Sequence, residues 1–152
     1  MLKLYGVLVA SALALLLSPA HAQAKPATTF VAKLSAENEV PGCPPGEASG
    51  ARGVAIVRVD EETGTIRYRV VATRLPGTIA GSPGIHIHEG GAEEAGPVEQ
   101  GLELTGRNRG LVATGQVVNP MLAAAIVADP ANYYVNVHTT VCTGGAVRGQ
   151  LG

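Results

Sequence analysis

The sequence is poor in aromatic residues and in net charge, and each shortage excludes a class of protein. Aromatic side chains make up 3% of the 152 residues, and tryptophan is absent, so a platform for stacking bases or sugars has too few rings. Lysine and arginine number 11 against 12 acidic residues. Because a phosphate-binding surface needs a basic excess, we do not expect nucleic acid as a partner.

Long apolar runs are also missing, except near the N-terminus. Lys3 precedes an apolar stretch over Val7–Leu17, and Ala20-His21-Ala22 follows with the small-x-small pattern that signal peptidase accepts. We therefore predict that residues 1–22 are a signal peptide cleaved after Ala22 and that the mature chain is secreted or periplasmic. No later segment reaches the roughly 20 apolar residues that span a bilayer, so we expect no membrane span.

Cysteine is scarce as well, with only Cys43 and Cys142 in the chain. Both would survive signal cleavage and enter an oxidising compartment, which favours a disulfide bond between them. Such a bond would close a loop of roughly 100 residues, worth about 4–5 kcal/mol in the chain-entropy model.

The mature chain shows the period-two alternation of β-strands. After a short unstructured lead-in at 23–28, we predict one domain over 29–152. Strands are expected at 29–34, 53–59, 65–72, 85–88, 102–104, 111–118, 133–139 and 146–151, with a loop over 89–101. Asn119-Pro120 provides a cap and a first residue for one short helix over 121–128. The pattern predicts an all-β fold, an antiparallel Greek-key β-sandwich or barrel.

The histidines are the most informative residues. In the strand motif Ile85-His86-Ile87-His88, successive side chains point to opposite faces, so His86 and His88 share the face away from the isoleucines. In Tyr134-Val135-Asn136-Val137-His138, Asn136 and His138 lie opposite the two valines in the same way. If the two strands are neighbours, three imidazoles converge on one metal ion, and affinity order favours copper over zinc at a nitrogen site.

Several candidate residues could have a structural role instead of a functional one. The three histidines could instead be hydrogen-bonded framework residues. Asn136 or the carboxylate of Glu89 could orient a metal-bound imidazole from behind. Glu39 and Arg148 are predicted to form a structural ion pair that joins the two ends of the domain. No catalytic nucleophile has a recognisable motif, and no phosphate-binding glycine loop opens a helix, so neither a nucleotide nor an organic cofactor is expected.

Ordered motifs over most of the mature chain resemble the CHRD domain, a module named after chordin. The matching segments are 34–41 (LSAENEVP), the hairpin after Gly53, 85–90 (IHIHEG), 96–98 (GPV), 134–139 (YVNVHT) and 145–151 (GAVRGQL). The resemblance implies an extracytoplasmic β-sandwich of immunoglobulin-like character and implies little about activity.

A second and weaker resemblance is to copper,zinc superoxide dismutases, which are also Greek-key barrels. It implies copper ligands at His86, His88 and His138. The segment 89–101 carries no histidine that could bridge to zinc, and no zinc loop is present, so the pattern departs from that family.

The sequence therefore predicts an extracytoplasmic CHRD-domain binding protein that could hold copper through three histidines. One alternative is a superoxide dismutase-like copper enzyme. The other is a metal-free structural or protein-interaction domain whose partner is an extracytoplasmic protein.

Overall fold

The structure, a computed structural model, describes residues 25–48, 50–81, 83–104 and 110–152. Within these ranges the chain is all-β, with one antiparallel eight-stranded curled sheet and one short α-helix. The elements are β1 (Thr28–Ser35), β2 (Arg52–Asp60), β3 (Thr65–Thr73), β4 (Ile85–Glu89), β5 (Val98–Gly101), β6 (Leu111–Val118), α1 (Pro120–Ala128), β7 (Tyr133–Val137) and β8 (Val147–Gln150). Short 3-10 helices lie at Ala36–Asn38 and Pro130–Asn132.

The sheet has two halves that curl around one core. Its strand order is β5-β4-β7-β8-β1-β2-β3-β6. The halves join where β8 meets β1 through the pair Ser35 and Arg148. A bridge between Leu104 and Ala113 connects the chain just after β5 to β6 at the far edge. The predicted antiparallel sandwich or barrel is confirmed.

Alternation explains the half formed by β1, β2, β3 and β6. In β2, for example, Ala55, Val57 and Val59 are buried, while Val54, Ile56 and Arg58 are exposed. The buried set packs with Ile66, Tyr68 and Val70 of β3, the next strand of the sheet. This half has the apolar inward face and solvated outward face expected of an antiparallel sheet.

The half formed by β5, β4, β7 and β8 differs, because β7 is buried on both faces. Val135 and Val137 pack in the apolar core. Tyr134 and Asn136 alternate to the outward face and are equally buried. We call the outward-facing set of this half, together with His138 just after β7, the polar layer; its members are His86, His88, Tyr134, Asn136, His138 and Arg148.

Local sequence signals located most elements correctly. The predicted helix begins after Asn119, whose side-chain oxygen accepts a hydrogen bond from Leu122 N at 3.1 Å. The strand predicted at 102–104 is wrong: the strand is β5, Val98–Gly101, within the segment assigned to a loop. Its sequence has little apolar alternation, and pairing with β4 decides its conformation.

The N-terminal predictions are only partly covered. The predicted signal peptide at 1–22 lies outside the described residues. Of the lead-in, residues 25–27 have no regular secondary structure and Thr28 already belongs to β1. Across the ranges described, no helix combines the length and hydrophobicity needed to cross a membrane.

Candidate metal centre

The antiparallel pairing of β4 with β7 brings the three histidines together. Ile85 lies opposite Val137, which places His138 beside the end of β4 that carries His86. The His86 and His138 ring centroids are 4.9 Å apart, and those of His88 lie 5.4 Å from His86 and 5.7 Å from His138. One ligand nitrogen from each ring falls within 4.8 Å of the others. In a planar three-nitrogen site with bonds of about 2 Å, the nitrogens are about 3.5 Å apart, so binding an ion requires the rings to close by roughly an ångström.

Two backbone carbonyls fix the orientation of two of the rings. His88 Nδ1 lies 3.0 Å from the carbonyl oxygen of Gly96, and His138 Nδ1 lies 3.0 Å from that of Thr143. A carbonyl oxygen only accepts, so each Nδ1 must carry the proton and each Nε2 keeps its lone pair. This is the arrangement that orients metal-binding imidazoles in proteins.

The loop that presents Thr143 is fastened by the disulfide bond. Cys142 is bonded to Cys43, as the cysteine count predicted. Cys142 N–H also donates to Thr139 Oγ1 at 3.0 Å. The disulfide and this hydrogen bond both restrain the segment after His138. They therefore help to keep the Thr143 carbonyl against the His138 ring.

Burial favours the neutral form of the three imidazoles. Desolvation is the largest effect on each and lowers the pKa of His86, His88 and His138. The neighbouring rings of His138 and His88 lower the pKa of His86 further. Neutral imidazole is the form that coordinates a metal. A lowered pKa therefore favours metal binding, because fewer protons compete with the ion for the ring nitrogens.

His88 is supported on one side by a stacked aromatic ring. The Tyr134 ring is nearly parallel to it, with an interplanar angle of 8° and centroids 4.8 Å apart. The guanidinium carbon of Arg148 lies 3.5 Å from the Tyr134 ring centroid. Tyr134 Oη also accepts a hydrogen bond from Gly96 N–H at 3.0 Å, so the tyrosine holds both the His88 ring and the residue whose carbonyl orients it.

Arg148 fastens the loop at 90–97 over the polar layer. Its Nη1 donates to the carbonyl of Glu94 at 2.6 Å, and its Nη2 donates to the carbonyl of Gly91. Gln150, the next outward residue of β8, donates to the carbonyl of Gly90 at 3.0 Å. Three backbone carbonyls of one loop are thus held by two side chains of β8.

The predicted ion pair between Glu39 and Arg148 is wrong as a direct contact. Glu39 instead accepts a hydrogen bond from Asn136 Nδ2 at 3.2 Å, and the Arg148 guanidinium is engaged by the carbonyls of the 90–97 loop. Burial raises the pKa of Glu39 to about 8, opposed by the charge of Arg148 and the Asn136 amide. The effect of burial is larger than both and favours the protonated carboxyl group.

Neither residue predicted to orient the histidines hydrogen-bonds to an imidazole in the described structure. Asn136 lies opposite His86 in the strand register, yet its amide is bound to Glu39. Glu89 is exposed, and its carboxylate accepts a hydrogen bond from Asn132 at 3.3 Å. The carbonyls of Gly96 and Thr143 supply the contacts instead. A backbone carbonyl is common to every residue, so no side-chain signal could have identified these two.

Comparison with known protein families gives one match, which spans nearly all of the chain after residue 29. A family model described as the CHRD domain matches residues 30–151. The chain belongs to the CHRD domain family. No curated protein and no solved structure gives a significant match.

The unpartnered polar atoms of this CHRD domain are concentrated at one place. Five buried side-chain nitrogen or oxygen atoms in the described ranges have no hydrogen-bond partner: Glu39 Oε1, His86 Nδ1, His88 Nε2, Asn136 Oδ1 and His138 Nε2. A buried polar atom left without a partner costs about 1–3 kcal/mol. Each of the three imidazoles offers a ring nitrogen within 4.8 Å of the others, so the group fits a metal ion.

Proposed function

We propose that this CHRD domain binds one copper ion through His86, His88 and His138. The observation that supports it is the convergence of three imidazoles with unpartnered ring nitrogens, two of them turned by backbone carbonyls so that Nε2 is free. Framework histidines would be expected to use both ring nitrogens in hydrogen bonds when buried.

The donor set favours copper among the common metals. The group consists of imidazoles alone, without a carboxylate, and both cysteines are in the disulfide. Imidazole ligands suit copper and zinc, and copper binds the same nitrogen ligands more tightly. Three protein ligands leave a coordination position open, so the bound ion would be accessible to a further ligand.

We propose in addition that the protein functions outside the cytoplasm. A disulfide persists in oxidising compartments, and the N-terminal sequence has the charge, apolar run and cleavage pattern of a signal peptide. We propose export with cleavage after Ala22, which N-terminal sequencing of the secreted protein would test.

Copper titration of the chain 23–152 tests the metal site. We expect one copper ion per chain in competition with a chelator, and at least a 100-fold loss of affinity in His86→Ala, His88→Ala and His138→Ala. Glu89→Ala is the matched control, because this exposed carboxylate has no contact with the rings and its loss should leave affinity unchanged. The proposal would be refuted if the wild-type protein took up no copper, or if His138→Ala bound copper as tightly as wild type. Either result would favour the alternative that the histidines are hydrogen-bonded framework residues.

The open coordination position also makes a copper enzyme of the superoxide dismutase type a second candidate. Superoxide turnover by the copper-loaded protein, above that of free copper and lost in His86→Ala, would support it. If the protein bound one copper ion per chain but did not turn over superoxide, the result would support a copper-binding protein without dismutase activity. Zinc titration under the same conditions separates the metals, since we expect zinc to be displaced by copper.

A further inference from the structure

The outward face of β1, β2 and β3 is basic, with a single acidic side chain, Asp60, where β2 ends. Strand register places these residues in adjacent rows. We call this set the basic face; its members are Val31, Lys33, Arg52, Val54, Ile56, Arg58, Arg67 and Arg69, all exposed. Asp60 accepts a hydrogen bond from Thr63 N–H at 3.1 Å, within the turn that joins β2 to β3.

Among the described residues, the cations of the basic face form no ion pair within 4 Å, and the carboxylate of Asp60 interacts electrostatically with Arg67. Arg58 lies directly opposite Arg67 in the register of β2 and β3. Like charges in this position repel and destabilise a sheet. The ion pair found among the described residues is elsewhere, between Lys25 and Glu61. The fold therefore keeps a repulsive arrangement that an external anionic group would relieve.

An apolar centre lies between the cations. Val31 is 58% exposed and lies opposite Ile56, which is 41% exposed, and Val54 is 39% exposed. An apolar centre with arginines around it is the arrangement found in many protein interfaces. The face lacks aromatic rings, so it is not suited to stacking sugars or bases.

The opposite side of the molecule carries a surface of complementary character. Glu93, Glu94 and Glu99 are exposed, and Val98 beside them is 52% exposed. We call these four residues the acidic loop. Arg148 binds the carbonyl of Glu94 from the outward face of β8, so the acidic loop covers the polar-layer half of the sheet, across the core from the basic face.

We propose that the basic face of one copy of this chain docks on the acidic loop of a second copy. Each surface supplies what the other lacks: arginines meet glutamates, and Val31 and Ile56 have an exposed apolar partner in Val98. Because the two surfaces lie on opposite sides of the fold, the contact is head to tail. Repeating it gives chains of copies or closed rings rather than a symmetric dimer alone.

Sedimentation velocity of the chain 23–152, in EDTA so that metal plays no part, tests this docking. In 20 mM salt we expect the average sedimentation coefficient to rise with protein concentration. In 500 mM salt it should stay at the monomer value, because salt screens exposed charges. A wild-type protein that is monomeric at every concentration would overturn the proposal, even if it bound an added polyanion such as heparin.

Charge-reversal variants identify the two surfaces. Arg69→Glu and Glu99→Lys should each remain monomeric alone, whereas an equimolar mixture should associate, because the mixture again contains an intact basic face and an intact acidic loop. Lys25→Glu is the control, since it makes the same charge change away from the basic face and should associate like wild type. Association by Arg69→Glu alone, or a mixture that stays monomeric, would refute the head-to-tail contact.

Discussion

Arg148→Met removes a buried guanidinium and retains a flexible side chain of similar length. Arg148 is 1% exposed, and it donates to the carbonyls of Gly91 and Glu94 while its guanidinium lies over Tyr134. Hydrogen bonds from a charged donor contribute about 1.5–3 kcal/mol each, and a desolvated cation–π contact about 2 kcal/mol. Methionine regains part of this by burying an apolar chain without a charge to desolvate. We expect a net loss of about 3 kcal/mol and a fall in Tm of roughly 10 °C.

The same substitution should weaken copper binding, although Arg148 is not one of the ligands. It frees the loop at 90–97, and with it the Gly96 carbonyl that orients His88. Losing such a contact behind a metal ligand typically costs 10–100-fold in affinity. We expect the copper affinity of Arg148→Lys to lie between those of wild type and Arg148→Met. Lysine keeps the positive charge, but it lacks the planar guanidinium that binds two carbonyls at once.

Thermal unfolding followed by circular dichroism, together with copper titration, separates these effects. Arg69→Met is the control, because it makes the same chemical change at an exposed site and should alter the free energy of unfolding by less than about 0.5 kcal/mol. An unchanged Tm in Arg148→Met would refute the hydrogen-bond argument. A lowered Tm with wild-type copper affinity would refute the link from the loop to His88.

Three further predictions concern the surroundings of the site. A Cβ on Gly145 would lie 2.3 Å from Glu39 Oε2, so Gly145→Ala should lower stability by about 1–3 kcal/mol in chemical denaturation, whereas Gly144→Ala meets nothing within 4 Å and should have little effect. Replacing Cys43 and Cys142 by serine should cost up to about 4–5 kcal/mol, measured in the same way against the oxidised protein, and an equal midpoint would contradict the closed-loop argument. The pKa of Glu39 is raised to about 8, so its contribution to stability is complete below about pH 4.5 and is lost as the pH rises towards 8. The lowered pKa values of the histidines have the opposite effect, because they make the stability rise with pH. The test is therefore to compare the pH dependence of the free energy of unfolding in wild type and Glu39→Gln, since the variant should lack the decline caused by Glu39.

Elements with a local signal could be predicted from the sequence, and elements without one could not. The helix after Asn119 and the hairpin of β2 and β3 depend on capping, turn residues and alternation within a few positions. β5 has no such pattern and exists because β4 offers it hydrogen bonds. The prediction of a contact between Glu39 and Arg148 was wrong for a related reason. The guanidinium is bound by loop carbonyls, and the pattern of side chains in the sequence does not indicate where those carbonyls lie.

The candidate site divides in the same way. Period two alone placed His86 and His88 on one face of a strand, and it placed His138 away from the valines of its own strand, because alternation is a local property of extended backbone. Their meeting depends on the pairing of β4 with β7, two segments separated by about 50 positions in the sequence. The partners of the rings, the carbonyls of Gly96 and Thr143, come from loops fastened by Arg148, Tyr134 and the disulfide. The sequence by itself determined which side chains could serve as metal ligands. The tertiary structure decided that the three rings lie close together, because strand pairing and loop anchoring act between residues far apart in the chain.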